Sequence, residues 1–311
     1  MKEIIGYIRS YFQYVNKKLL ILCSLQTAIL IYLNYHNKLE RWLTTRSILG
    51  WPSFVGHYII FAVAFWLPYL YCAFIEKKFF LRNKRLFILM AIAPAIFSLK
   101  MALHTDFPFS SNASWNEYWN QVYYWPLRLV IVTAILILLW KKFDNDQPFY
   151  GLTIKNPVWQ ARFKWKPYTL MLLCMTPLIA AASTQPDFLA MYPKIRSVLH
   201  IGNSIHLSWL HKLLFELTYG SDFLGIEIFF RGFLILAFIK WVGMDAVLPM
   251  ACFYCTIHFG KPLGECISSY FGGMLLGIVV YNTRSIYGGL IVHLGIAWMM
   301  EIGGYIHPLS P

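Results

Sequence analysis

The sequence predicts an all-α protein, a polytopic transmembrane helical bundle of eight or nine spans, and three observations carry the prediction. Hydrophobic residues make up 58% of the 311 residues and charged residues only 13%, where soluble domains carry about a quarter charged. Apolar runs long enough to cross a hydrocarbon core recur along almost the whole chain. The formal charge of +13 sits in short Lys/Arg blocks between those runs, as in loops retained on the cytoplasmic side of a membrane. A soluble globule is excluded and a nucleic-acid partner is not expected. The expected surroundings are a lipid bilayer.

Residues 1–18 form a basic amphipathic lead-in, with Lys2, Arg9, Lys17 and Lys18, and no small-residue cleavage site follows its apolar run. An uncleaved first span is expected at about 19–35 and a second at about 54–75. The block after it holds Lys77, Lys78, Arg82, Lys84 and Arg85 and is placed inside. A third span covers about 86–104. The stretch 105–121 has no Lys or Arg and is read as an outer loop; its Asn112-Ala113-Ser114 matches a glycosylation acceptor, which carries no meaning in a bacterium. A fourth span, about 122–140, returns to Lys141 and Lys142, and the loop with Lys155, Arg162, Lys164 and Lys166 is again inside. The fifth lies at about 168–183. The sixth starts near 205–209 and is expected to kink or break at Gly220-Ser221-Asp222. The seventh is about 246–259, the eighth a short one at 266–281, and the ninth 286–305. Alternation puts the N-terminus, Lys240 and Arg284 inside.

Cys23, Cys72, Cys174, Cys252, Cys255 and Cys266 mostly lie in or beside apolar runs, where cysteine acts as a small hydrophobe. Cys252 and Cys255 make a CxxC one turn before His258, but a second paired cluster of the kind a zinc site needs is missing. On the eighth span, Ser269, Gly273 and Gly277 recur every four residues, a seam for close helix packing.

The stretch 223–240, FLGIEIFFRGFLILAFIK, is apolar enough to span yet carries Glu227 and Arg231. Four residues apart on a helix, the two can pair. Charged groups in hydrocarbon mark either a packing ion pair or a functional site. Two later spans carry His258 and His293. A carboxylate and two imidazoles from three helices can deprotonate a water and stabilise an oxyanion. The same Glu227, His258 and His293 could instead hold a divalent metal. Glu216, Glu265 and Glu301 are accessory candidates: Glu216 three turns before Glu227, Glu265 either paired with Lys261 or near the site, and Glu301 two turns beyond His293.

These residues carry a resemblance. Glu227-Ile-Phe-Phe-Arg231-Gly232, then Tyr254-Cys-Thr-Ile-His258, then 283–293 ending in His293 resemble the EExxxR, FxxxH and HxxxN/D motifs of the CAAX protease and bacteriocin-processing (CPBP, or Abi) family. The resemblance covers about residues 205–305. It implies an intramembrane glutamic endopeptidase in a bacterial inner membrane, acting on a membrane-associated peptide or protein. Glu227 takes the place of the second glutamate, Arg231 the arginine, His258 and His293 the histidines. Ile226 stands where the family has its first glutamate, usually assigned as the base. Ala297 stands at the Asn/Asp position and Tyr254 at the phenylalanine. Residues 1–200 are then an N-terminal basic segment with about five additional helices, and 201–311 the CPBP-like core.

Two functions remain at this point. One is a protease with Glu227 as base, oriented by Arg231. The other, prompted by Ile226 and Ala297, is a non-catalytic adaptor or chaperone of the same fold. A transporter has less behind it, since no inverted repeat is visible.

Overall fold

The computed structural model describes residues 2–45, 51–76, 82–104, 106–154, 164–199 and 205–306. Lys77, Lys78, Lys155, Arg162 and the expected division at 200/201 lie outside them. Among the described residues there is no strand, and the chain is an all-α polytopic helical bundle. Six helices among the described residues are long and apolar enough to cross a membrane: α2 (Lys17–Asn37), α4 (Pro52–Glu76), α5 (Lys84–Ala102), α6 (Ala113–Phe143), α13 (Leu263–Thr283) and α14 (Tyr287–Ile306). Helix α7 (Lys166–Ala182) is a shorter apolar helix. The lead-in is α1 (Lys2–Tyr14), with Ile4 and Tyr11 buried on one face and Lys2 and Arg9 exposed; it packs against α13. The other α-helices are α3 (Leu39–Thr45), α8 (Pro186–Met191), α9 (Arg196–Leu199), α10 (Trp209–Glu227), α11 (Ile239–Val242) and α12 (Val247–Thr256).

Outward faces are apolar, as lipid contact requires. Ile21, Leu25 and Ile29 on α2, and Leu170, Leu173 and Leu178 on α7, are all exposed. In water such stripes would be a liability; in hydrocarbon they are the ordinary surface of a span.

Three expectations need correction. The expected outer loop at 105–121 is half helix, because Asn112 caps α6, its Oδ1 accepting from the Trp115 amide at 3.1 Å. The eighth span is not short: α13 runs 21 residues. The break expected at Gly220-Ser221-Asp222 does not occur, since α10 runs through it to Glu227. Ser221 bonds its own helix, Oγ donating to the Thr218 carbonyl at 2.6 Å, and Gly220 lets Trp298 and Leu294 approach. The irregularity comes later, as a π-helix at Ile228–Leu236.

The chain divides into two compact units that interleave along the sequence. One comprises Met1–Leu103, Ile135–Phe163 and Ile228–Gly289; the other comprises His104–Ala134, Lys164–Glu227 and Leu290–Pro311. In the first, Phe61, Phe97, Phe230 and Phe253 form an aromatic core, with ring centroids 4.8 Å apart for Phe61–Phe253 and 5.1 Å for Phe230–Phe253. The small-residue seam packs α13 on α12: a Cβ at Gly273 would lie 2.8 Å from the Tyr254 ring, and one at Gly277 2.6 Å from Met250. In the second, Tyr118, Val122, Ile195, Val198, Leu207 and Phe215 form the main cluster.

One end of the first unit gathers loops that charge alone had assigned to one side. Asp144, after α6, is fully buried and accepts from Arg85 at 2.9 Å and Lys240 at 2.5 Å. Tyr150 donates to its other oxygen at 3.1 Å, and burial beside that carboxylate pushes the Tyr150 phenol up, keeping it a donor. Nearby, the Ile286 amide donates to the Gly151 carbonyl at 3.0 Å, tying in the turn that follows Arg284.

Candidate functional site

In the second unit, Glu227 ends α10 and is fully buried. Its Oε1 lies 2.8 Å from Nδ1 of His293 on α14, whose side chain is 13% exposed. The contact is a short, nearly dry carboxylate–imidazole hydrogen bond, the arrangement that fixes which ring nitrogen holds the proton. The Phe223 ring stands edge-on to His293, centroids 4.8 Å apart, and Tyr219 edge-on to Phe223 at 5.1 Å. Tyr219, Phe223 and Glu227 recur every four residues, so one face of α10 presents both the aromatic wall and the carboxylate. Ala297 belongs to this wall, buried with Tyr219 and Phe223 and covered by Trp125, Leu290 and Leu294.

In the first unit, Arg231 is fully buried in the π-helix. Its guanidinium lies 3.8 Å from the centroid of Tyr254 on α12. That ring stacks edge-on with Phe230 at 5.1 Å. His258, one turn on from Tyr254, places Nδ1 3.0 Å from the Tyr254 carbonyl. The backbone changes from α- to π-winding at Ile228, just after Glu227. Tyr254 is the residue that spacing alone undervalued: at the phenylalanine position it supplies the face on which a buried cation rests.

The accessory glutamates divide. Glu265 pairs with Lys261 at 2.6 Å, as the simpler of its two expectations had it. Glu301 is buried and accepts from the Lys194 amide at 2.8 Å. At Glu216, Trp298 Nε1 donates to the backbone carbonyl at 3.4 Å. Within the second unit Glu227 and His293 supply two donors, fewer than the three or four protein ligands that hold zinc. A three-donor grouping that sequence reading missed is Cys72, Glu76 and Asp245 in the first unit, with ligand atoms within 4.8 Å of one another. Its visible half was the four-residue spacing of Cys72 and Glu76; Asp245 arrives from a distant turn.

Fold and site define a class: a polytopic helical membrane protein with a buried glutamate–histidine contact in its last third. Residues 197–299 match the family described as type II CAAX prenyl endopeptidase Rce1-like. That segment, about a third of the chain, contains Glu227, Arg231, His258 and His293. Among curated proteins and among solved structures nothing matches.

Proposed function

We propose that the chain is an intramembrane endopeptidase that hydrolyses a peptide bond in a membrane-associated peptide or protein. The observation that carries this reading is the 2.8 Å contact between buried Glu227 and His293, inside the family-matched segment. Glu227 and His293 act as one proton-holding unit. The carboxylate orients and stabilises the imidazole, and the pair takes the proton of the attacking water as it adds to the scissile carbonyl. Returned to the leaving amine, the same proton completes the hydrolysis. His258 and the Arg231–Tyr254 stack serve the developing oxyanion and the positioning of α12. Residues 201–311 are the catalytic core, residues 1–200 an addition to it, and the membrane a bacterial inner membrane with the N-terminus inside.

A second reading has one observation in its favour. Ala297, where the family carries an Asn/Asp, is sealed in the apolar wall with Tyr219 and Phe223 and offers no polar group. A CPBP-fold adaptor would need none.

The test compares newly exposed peptide N-termini in membranes holding wild type or Glu227→Gln protein at equal levels. Cleavages present only with wild type are expected. Identical sets, with the variant folded and inserted, would leave the adaptor.

A further inference from the structure

Cys255 and Cys266 form a pair that the proposed mechanism does not use. Cys255 lies in the last turn of α12 and Cys266 in the first turn of α13, both fully buried, with their Sγ atoms 3.8 Å apart. Cys255 Sγ also lies 3.3 Å from the Cys266 carbonyl. The segment between them is the turn that carries His258. It is closed by the His258 amide on the Cys255 carbonyl at 3.0 Å and the Lys261 amide on the His258 carbonyl at 3.2 Å, with Gly260 at φ +78°. Tyr35 of α2 braces the turn, its hydroxyl donating to the Lys261 carbonyl at 2.5 Å. With Leu263, Ile267 and Tyr270, Tyr35 lines an open cleft of about 590 Å³.

We propose that Cys255 and Cys266 are an oxidisable dithiol whose disulfide staples α12 to α13 and fixes the His258 turn. A disulfide needs its sulfurs about 2.05 Å apart, and thiols already in contact reach that by a short approach. With hydrogen peroxide as oxidant the step balances: two S–H bonds and one O–O bond break, one S–S bond and two O–H bonds form, and two waters leave. Both thiols are fully buried, which shields them from bulky reagents, so a small peroxide is the suitable oxidant. The CxxC spacing had coupled Cys255 to Cys252. Cys252 instead faces α2, its thiol 3.7 Å from the Cys23 carbonyl. Any effect on proteolysis rests on the proposed role of His258, whereas bond formation does not.

The test uses the full chain in lipid nanodiscs, treated with peroxide, denatured, alkylated and digested for mass spectrometry. Of the six cysteines, two are expected to resist alkylation and to appear as a dithiothreitol-sensitive link between the peptides of Cys255 and Cys266. Cys266→Ser should abolish the link and Cys174→Ser preserve it. Six alkylated cysteines, or a link between Cys23 and Cys252 alone, would overturn the proposal. A Cys255–Cys266 link in a protein that cleaves nothing would uphold the dithiol and count against the proposed function.

Discussion

Glu227 was readable because a carboxylate in an apolar run is costly unless something answers it, and His293 is the group that does so. The second motif was harder to read. The resemblance singled out Arg231 and His258 but said nothing of the Tyr254 ring that each lies against, since which side chain lies against which is a matter of packing. Tyr254→Phe should therefore change stability by less than about 1 kcal/mol, because a phenyl face still receives the guanidinium. Tyr254→Leu removes that face and should destabilise by about 2 kcal/mol or more, read as a lower unfolding midpoint in nanodiscs. Equal losses in the two variants would mean that Arg231 does not depend on the ring.

Among the elements, the long spans were legible from hydropathy and the seam on α13 from its four-residue repeat of small residues. Length and winding were not. Gly220-Ser221-Asp222 has the composition of a break, but Ser221 satisfies itself within the helix and Gly220 serves a tight contact, so α10 continues. The π-helix at Ile228–Leu236 left no such sign, because its residues are uniformly apolar apart from Arg231. Gly232 shows what the winding accommodates: a Cβ there would lie 2.5 Å from the Tyr150 carbonyl oxygen. Backbone cannot yield as a side-chain tip can, so Gly232→Ala should destabilise by roughly 1–3 kcal/mol, the range of overpacking. Gly264→Ala, with open space around its Cβ, should be near neutral. Comparing the two midpoints checks the close approach itself.

For the molecule as a whole, positive blocks predicted which loops share a side, and Asp144 gives that prediction a physical centre by drawing in Arg85 and Lys240. The residue itself was overlooked, because an aspartate just beyond a span reads as an ordinary loop acid. Asp144→Ala should cost roughly 1–3 kcal/mol, less than a fully buried pair because Arg85 and Lys240 stay about a third exposed and water screens them. Thermal unfolding measures it. With orientation as proposed, single cysteines at Asp146 and Gln185 should react with an impermeant maleimide from opposite faces of the membrane; labelling from one face would refute the alternation. The grouping of the chain into two interleaved units was not legible, since no composition shift marks residues 134/135, 227/228 or 289/290. The central claim is that Glu227 and His293 act together. It is tested most directly by the cleavage rate of an identified substrate peptide with wild type, Glu227→Gln, His293→Gln and the double variant. Each single change is expected to lower the rate by about 10²–10⁴-fold, and the double by no more than the worse single, because a pair acting as one unit is lost only once. Losses that multiply, or a single variant at the wild-type rate, would contradict it.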